Sequence, residues 1–390
     1  MLTTTRLGNL QSRTLSGSKN SSENTVAAAK TQPDAELCEA YSEIATGQRL
    51  SWNGHYHLRR LLGRGGQGEV YLTEVRGVDG FTVPVAMKTF CPDGFRDARG
   101  YTAAMQRVAS VSARVAQIQH DNLLDVQNFF QRRGVRIMLM EWVDGYDLRQ
   151  LVGPGLLDQL QHSVNERRWR YINDVIITRS RDQHGDGHSK FRPGIAMAII
   201  REVLAGLAAL HRESIVHGDV KPANIMLKRS GHAKLIDIGS AFDTKDPPPT
   251  RDCTPVYAAP EVLDRDTITP RSDLASVGYV LIELLSGKNP VGHVGHDVRA
   301  LLQAKRELPS RLDEILPQDV LRNELLMNFV RGLISPDPNR RFPTAEDAEH
   351  VDQGAAAFQR QLVKGDMDTE YCNDIRVWLE DLRHLDVQIS

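Results

Sequence analysis

The feature that most constrains this chain is a polar octapeptide, HGDVKPAN, which runs from His217 to Asn224. Pro222 prevents a helix from running through it, because proline lacks a backbone N–H and clashes with the preceding turn. Apolar residues flank the octapeptide, with Ile215-Val216 before it and Ile225-Met226-Leu227 after it. The sequence therefore predicts a loop that is held at both ends by buried segments.

The octapeptide and a second acidic residue together contain the groups that phosphoryl transfer from a nucleotide requires. Asp219 and Asn224 are five residues apart, and Asp237 follows 18 residues after Asp219. In this chemistry one carboxylate accepts the proton of the attacking hydroxyl and a lysine neutralises the moving phosphoryl group. An asparagine and a second aspartate hold Mg²⁺. Two unrelated polar turns are the alternative interpretation of the same residues.

Bulk properties narrow the class of protein. The chain has 390 residues, enough for one to three domains, and its 41% hydrophobic and 25% charged content is typical of a globular protein. A formal net charge of −2 gives no global basic field, so we expect no nucleic-acid partner. We also expect no membrane span, since no apolar run approaches ~20 residues, and no secretory signal. Four scattered cysteines favour a reducing compartment, and we expect a cytoplasmic location.

A glycine cluster from Gly63 to Gly68 fits the pattern G-x-G-x-x-G. Glycines let backbone N–H groups approach phosphate oxygens, because no Cβ atom intervenes. A plain glycine hairpin and a dinucleotide-binding turn are the alternatives. The dinucleotide turn requires a helix directly after the glycines, whereas residues 69–75 have the composition of a β-strand. The pattern therefore favours a hairpin that covers phosphates.

Lys88 lies within a predicted strand, Val83 to Phe90. A lysine in an apolar strand is rarely buried without a partner, and an anionic ligand would provide one. An outward-facing lysine is the alternative.

Hydrophobic spacing changes from strand-like to helical along the chain. A helix is predicted from Arg99 to Gln119, and the strongest later helices are expected at 195–212, 273–285 and 324–334. A β-rich first part followed by an α-rich second part predicts an α+β fold in two lobes.

Together, these motifs resemble the eukaryotic-type Ser/Thr protein kinase family, including its bacterial members, over about 290 residues. The resemblance implies a bilobal protein kinase fold within 55–350. A small β-rich N-lobe would span 55–143, and a larger α-helical C-lobe would span 144–350, with an insertion at about 161–193. The flanks would be a largely disordered N-terminal extension, 1–50, and a helical C-terminal extension, 351–390.

The resemblance also assigns roles. Asp219 would be the catalytic base, Lys221 would contact phosphate, and Asn224 and Asp237 would bind Mg²⁺, or Mn²⁺ in its place. Lys88 would bind the α- and β-phosphates of ATP. The other nucleotide contacts would come from the glycine loop, the cleft walls, the hinge and the ribose site, namely Gly63, Gly65, Gly68, Val70, Ala86, Glu141, Val143, Asp147 and Met226.

Later motifs indicate the class of acceptor. The segment Cys253 to Tyr257 is similar to the G-T-P-x-Y of Ser/Thr kinases, in which the threonine, here Thr254, contacts the catalytic loop. Asp273 matches a carboxylate that braces this loop, and Arg341 matches an arginine that pairs with Glu261. The resemblance therefore implies an ATP-dependent kinase that phosphorylates Ser or Thr of a protein substrate.

The chain departs from the family pattern at three positions. Gly218 replaces the arginine that normally grips a phosphorylated activation loop, and Ile238 replaces the phenylalanine of D-F-G. The helix glutamate that normally pairs with the lysine is missing, because Val111 occupies its position. Without this glutamate, Lys88 would pair with Asp237, with phosphate alone or with a polar group of the helix such as Gln106. These departures leave a nucleotide-binding pseudokinase, acting as a scaffold or regulator, as the alternative function.

The insertion and the C-terminus carry weaker signals. Five arginines of the insertion predict either a solvated helix face or a docking site for an acidic partner: Arg167, Arg168, Arg170, Arg179 and Arg181. Its Gly-rich loop offers His184, Asp186 and His188 as metal ligands, with a solvated loop as the alternative. In the C-terminal extension, Trp378, Leu379, Leu382 and Leu385 are predicted to share one helix face.

Overall fold

A computed structural model describes residues 5–7, 34–46, 49–50, 56–179, 188–249, 251–295, 297–350, 354–363 and 371–389. The predicted disorder of the N-terminal extension falls mostly on residues outside this set. The interpretations of Arg181, His184 and Asp186 also lie outside the described residues. The domain boundaries proposed above remain predictions.

The N-terminal part is built on an antiparallel seven-stranded sheet in the order β2-β3-β5-β6-β8-β7, with β4 paired to β5. Two helices accompany the sheet, and Tyr101 and Met105 of the second are buried against it. In chain order the elements are β1 (Thr5–Leu7), α1 (Ala35–Thr46), β2 (Arg49–Leu50), β3 (Tyr56–His57), β4 (Arg60–Gly65), β5 (Gly68–Arg76), β6 (Thr82–Phe90), α2 (Ala98–Val115), β7 (Val126–Arg132) and β8 (Val135–Glu141).

The remainder is mainly helical and packs around two buried helices. Its elements are β9 (Gly145–Asp147), α3 (Leu148–Val152), α4 (Leu156–Ser163), α5 (Glu166–Tyr171), β10 (Ile177–Arg179), β11 (Ser189–Phe191), α6 (Pro193–Arg212), β12 (Ile215–Val216), β13 (Ile225–Lys228), β14 (Ala233–Leu235), β15 (Phe242–Asp243), β16 (Arg251–Cys253), α7 (Pro260–Asp264), α8 (Pro270–Ser286), α9 (Val298–Glu307), α10 (Leu312–Ile315), α11 (Gln318–Leu321), α12 (Glu324–Ile334), α13 (Ala345–His350), α14 (Ala355–Val363) and α15 (Tyr371–Ile389). Helices α6 and α8 contact each other at the centre. The predicted bilobal α+β fold is confirmed.

Boundaries predicted from periodicity differ from the structure by a few residues. The helix expected up to Gln119 ends at Val115, and a turn through Ile118 follows it. The octapeptide is a loop except for one 3₁₀ turn, Pro222–Asn224, which starts at the proline because its fixed φ suits a first helical position. The insertion contains the antiparallel pair β10–β11, which was not predicted, because three-residue strands carry too little alternation to be recognised.

Helix α6 is the core of the helical lobe. Among the described helices it alone is long and apolar enough to cross a membrane, with a mean hydropathy of 1.6, and 67% of that stretch is buried inside the fold. A buried core helix has this composition, because most of its surface meets apolar neighbours.

The N-terminal flank contributes two ordered elements. Helix α1 buries Leu37, Ala40 and Ile44 and lies against β8 of the large sheet. Strand β1 pairs antiparallel with β16, where Thr5 faces Cys253. Strand β1 therefore contacts the helical lobe, whereas α1 contacts the sheet of the other lobe.

Helix α15 joins the C-terminus to the insertion. Its buried face includes Trp378, as the spacing of its apolar residues predicted, and the indole packs edge-on against Phe191 with ring centroids 5.8 Å apart. Asp381 accepts a hydrogen bond from Arg168 Nε at 2.8 Å, and Asp374 accepts one from the Tyr171 hydroxyl at 2.5 Å. An acidic helix face of the same chain therefore meets the arginine-rich insertion.

A buried ion pair links the start of α7 to the segment after α12. Arg341 donates to both oxygens of Glu261, at 2.6 and 2.7 Å, and Ser272 donates to Glu261 Oε1 at 2.7 Å. Both charged side chains are almost fully buried. Removing one partner would leave an uncompensated charge in a low-dielectric site.

We predict that Arg341→Ala lowers the free energy of unfolding by about 3–5 kcal/mol, because Glu261 then stays buried without its cation. Arg170→Ala is the control, since Arg170 forms an exposed pair with Glu166 one helical turn away and should change stability by less than about 1 kcal/mol. Equilibrium chemical denaturation measures both. Equal effects of the two substitutions would show that the buried pair does not stabilise the fold.

Candidate active site

The two lobes enclose a cleft of about 440 Å³, which is in the size range of small-molecule sites. The structure brings thirteen of the fourteen predicted site residues to its walls. They are Gly63, Gly65, Gly68, Val70, Ala86, Lys88, Glu141, Val143, Asp147, Lys221, Asn224, Met226 and Asp237. The remaining one, Asp219, is buried beside the cleft and is bonded to Lys221.

The glycines of the β4–β5 hairpin have different physical roles. A Cβ atom on Gly63 or Gly65 would meet nothing within 4 Å, so their backbone faces open space. Gly68 has φ +140°, and a Cβ there would lie 1.8 Å from the Thr89 carbonyl oxygen. Gly68 is therefore required by the close packing of β5 on β6, while Gly63 and Gly65 leave room for a ligand.

Lys88 is buried and forms two hydrogen bonds, both with residues outside helix α2. Its Nζ donates to Asp237 Oδ1 at 2.5 Å and to Gln67 Oε1 at 2.8 Å. Val111 of α2 is 5% exposed and turns an apolar side chain inward. The charge of the Lys88 ammonium is thus balanced by Asp237, one of the three partners that the sequence suggested, and the ammonium also donates a hydrogen bond to the unpredicted Gln67.

Gln67 also connects the glycine hairpin to the opposite wall. Its Nε2 donates to Ser240 Oγ at 2.8 Å, and a Cβ on Gly239 would lie 2.4 Å from Gln67 Oε1. Gln106 instead lines a second cavity of about 930 Å³ behind this bridge, between α2 and residues 239–252. The only signal for Gln67 in the sequence is its position inside the glycine cluster, which does not say where its side chain points.

The octapeptide folds into a connected set of charges. Lys221 Nζ donates to Asp219 Oδ2 at 2.6 Å and to Thr254 Oγ1 at 2.9 Å. Thr254 in turn donates to Asp219 Oδ1 through its hydroxyl at 2.7 Å and its backbone N–H at 3.0 Å. Asn224 Nδ2 donates to the Asp219 carbonyl at 2.8 Å. A carboxylate that accepts this many hydrogen bonds is held in one orientation.

Asp273 at the start of α8 fixes the backbone of the same loop. Its carboxylate accepts the N–H groups of His217 and Gly218, each at 2.9 Å. Gly218 has φ +74°, and a Cβ there would lie 3.0 Å from the Ser240 carbonyl oxygen. The left-handed conformation suits glycine, because L side chains rarely adopt it.

Asp237 and Asn224 face the cleft where a divalent cation would bind. Burial would raise the pKa of the Asp237 carboxyl, but the charge and hydrogen bond of Lys88 outweigh burial and lower that pKa to about 2. Lys88 and the Gly239 N–H both contact Oδ1. Among the described residues, Oδ2 of Asp237 is therefore left for a ligand. An ionised carboxylate and an amide are oxygen ligands of the kind that Mg²⁺ prefers, so the residues fit this ion.

Two predicted nucleotide contacts also have structural duties. The Asp147 carboxylate caps α3 by accepting the Gln150 N–H at 2.9 Å, and burial raises the pKa of this carboxyl. The Glu141 carboxylate accepts the Asp125 N–H at 2.7 Å and also contacts Lys234. Both residues line the cleft, so these contacts hold the cleft wall in position.

Comparisons with known proteins agree with this geometry. Residues 56–351 match the family model described as a protein kinase domain. The chain is 32% identical over 298 residues to the serine/threonine-protein kinase PknD of Mycobacterium tuberculosis, covering 75% of this chain and 38% of that protein. It is 26% identical over 309 residues to the serine/threonine-protein kinase PrkC of Bacillus subtilis, covering 78% of this chain and 40% of that protein. The chain therefore spans about two fifths of the length of these curated relatives.

We predict that Gly68→Ala lowers the free energy of unfolding by at least about 2 kcal/mol, because the new Cβ meets the Thr89 carbonyl and the backbone is strained. Gly65→Ala is the matched control in the same hairpin and should change stability by less than about 0.5 kcal/mol. Chemical denaturation of the two variants measures the difference. A destabilised Gly65→Ala would contradict the open space seen above this glycine.

Proposed function

Because this chain belongs to the protein kinase family, we propose that it is an ATP-dependent kinase that transfers the γ-phosphate to Ser or Thr of a protein substrate. The observation that carries this proposal is the bonded set of Asp219, Lys221 and Thr254 beside a cleft that Asp237 and Asn224 also line. Lys88, Asp219, Lys221 and Asp237, the charged groups that the reaction requires, are all held by hydrogen bonds or ion pairs to neighbouring residues.

The mechanism follows from the positions of these groups. The acceptor hydroxyl attacks the γ-phosphorus, the bond to the bridging oxygen of ADP breaks, and the hydroxyl proton passes to the Asp219 carboxylate. Lys221 lies between Asp219 and the cleft and neutralises charge on the phosphoryl group in transit. Lys88 orients the α- and β-phosphates. Asn224 and Asp237 would hold Mg²⁺, or Mn²⁺, which when bound neutralises the β- and γ-phosphate oxygens.

The contacts of Thr254 favour Ser or Thr as the acceptor. Its hydroxyl bridges Asp219 and Lys221, so the segment that follows it lies next to the base. The same contact is the family feature that distinguishes Ser/Thr kinases from tyrosine kinases. The relatives PknD and PrkC are named serine/threonine-protein kinases, which supports the same acceptor class here.

A nucleotide-binding pseudokinase is the alternative, and the inward-facing Val111 is the observation behind it. The loss of the helix carboxylate would matter most if Lys88 were left without an anionic partner. Lys88 has Asp237 and Gln67 instead, so its ammonium is oriented without the helix. We therefore favour the enzyme.

The arginine-rich insertion is the predicted docking face for an acidic partner. Arg168 pairs with Asp381 and Arg170 with Glu166 of the same chain. We propose that any acidic partner at this face competes with α15 for Arg168.

Asp219→Asn should lower phosphate transfer to a generic acceptor protein by at least about 100-fold, because an amide cannot accept the proton. Asp237→Asn should also abolish transfer, through loss of the cation ligand and of the Lys88 partner. Labelled ATP with Mg²⁺ or Mn²⁺ measures both, and Asp313→Asn, at an exposed helical position, is the control. Equal labelling in all variants would contradict the proposed enzyme. A thermal shift with ATP and Mg²⁺ but no labelling would identify a pseudokinase.

Gln67→Ala should weaken ATP binding about tenfold, since a hydrogen bond to a charged group contributes about 1.5–3 kcal/mol and Asp237 remains. Gln106→Ala removes the same amide from α2 and should leave ATP affinity unchanged. Isothermal titration with ATP and Mg²⁺ compares the two. Tighter binding by Gln67→Ala would show that Gln67 competes with the phosphates instead of orienting Lys88.

A further inference from the structure

A second group of reactive side chains lies outside the cleft, on the helical lobe. Glu202 of α6, His232 of the β13–β14 turn and Cys372 of α15 bring one oxygen, one nitrogen and one sulfur within 4.8 Å of one another. Cys372 lies 170 positions after Glu202 and 140 positions after His232 in the chain. We propose that they form a zinc site that fastens the C-terminal helix α15 to the helical lobe.

The distances between the three atoms suit a tetrahedral ion. Cys372 Sγ lies 3.6 Å from His232 Nδ1 and 3.9 Å from Glu202 Oε1. Zinc bonds of about 2.3 Å to sulfur and about 2.0 Å to nitrogen and oxygen place tetrahedral ligand atoms roughly 3.2–3.6 Å apart. Only the pair His232 Nδ1 and Glu202 Oε1, now 2.5 Å apart, must separate, which small side-chain rotations accomplish.

The carboxylate and the imidazole are held by the backbone around them. The second oxygen of Glu202 accepts the N–H of Ala233, so the carboxylate cannot turn away from the turn that carries His232. That turn is closed by two backbone bonds of 2.8 Å, from Gly231 N–H to the Lys228 carbonyl and from Lys228 N–H to the His232 carbonyl. Metal ligands are commonly oriented by neighbouring groups in this way.

The cysteine is brought in by a close backbone approach. A Cβ atom on Gly231 would lie 1.8 Å from the Cys372 carbonyl oxygen, and Gly231 has φ +87°. A Cβ on Gly194 would likewise lie 2.5 Å from the Tyr371 hydroxyl. The first turn of α15 therefore contacts the helical lobe at two glycines, and this contact brings the Cys372 thiol next to His232.

The mixed ligand set indicates which ions would bind. Thiolate and imidazole favour zinc and similar transition metals, whereas Mg²⁺ and Ca²⁺ prefer oxygen alone. His232 is exposed and the other two residues are half-buried, so water can complete a site with three protein ligands. One thiolate and one carboxylate balance the charge of a divalent ion.

Binding changes protons but no oxidation states. Nδ1 of His232 must give up any proton that it shares with Glu202 Oε1, either to its own Nε2 or to water, so that its lone pair can bind the ion. The Cys372 thiol releases its proton to water as the metal–sulfur bond forms.

Cobalt provides a direct test on the full chain. After chelator treatment and dialysis, one equivalent of Co²⁺ should produce a thiolate-to-cobalt charge-transfer band, and Zn²⁺ should remove it. Cys372→Ser should lose the band and weaken Co²⁺ binding by more than about 100-fold, since even groups that only support a ligand contribute 10- to 100-fold. Cys91→Ser, at a half-buried cysteine of the other lobe, is the control. No stoichiometric band, or an unchanged band in Cys372→Ser, would overturn the site.

Hydrogen exchange tests the fastening role. Zn²⁺ should slow amide exchange across 371–389 in the unmodified chain and in Cys91→Ser, but not in Cys372→Ser or Glu202→Gln. Kinase activity and its dependence on ATP should be the same in all four proteins, since none of these residues lines the cleft. Stoichiometric zinc binding with unchanged exchange in α15 would overturn the proposed link between the ion and the helix.

Discussion

One buried carboxylate, Asp273, determines where the catalytic groups stand. It accepts the N–H groups of His217 and Gly218 and contacts His211 Nε2 at 2.9 Å. Burial would raise the pKa of Asp273, but the hydrogen bond and charge of His211, together with the charge of His217, lower it. The ionised carboxylate thus holds the first residues of a loop whose next residue is Asp219. Loss of this group would leave several buried donors unpaired at once, which is why a single side chain can govern the whole site.

The activation segment, which runs from Asp237 to Glu261, is held without the usual arginine. Gly218 takes a left-handed conformation there and offers no cation to a phosphate. The segment is instead anchored by the Thr254–Asp219 bonds, by an ion pair of 2.6 Å between Arg114 of α2 and Asp243, and by strand β1 beside β16. The Arg114 contact also ties α2 to the segment. Hydrogen bonds, one long-range ion pair and one strand pairing therefore hold the described part of the segment.

Much of the site was predictable because its information is local. Asp219, Lys221 and Asn224 lie within one proline-broken loop between apolar strands, so their spacing alone places them together. Other features depend on contacts that no local pattern encodes. Gly68 is a packing glycine because the Thr89 carbonyl lies against it, and Gln67 reaches Lys88 because β5 and β6 pair side by side in the sheet. The strand pair β10–β11 was missed for another reason, since strands of three residues carry too little alternation to be recognised.

The sequence by itself determined the chemical class of this protein, its two-lobed α+β architecture and the absence of the helix carboxylate and of the loop arginine. These are properties of residue identity and short spacing. Only the tertiary structure decided what replaces those groups, because Gln67, Asp237 and Arg114 act through partners far away in the chain. The same holds for the meeting of Glu202, His232 and Cys372, which a reading of cysteine spacing does not detect. Long-range packing of α15 on α6 brings them within reach, and burial of its apolar face, with Trp378 at the centre, stabilises that packing.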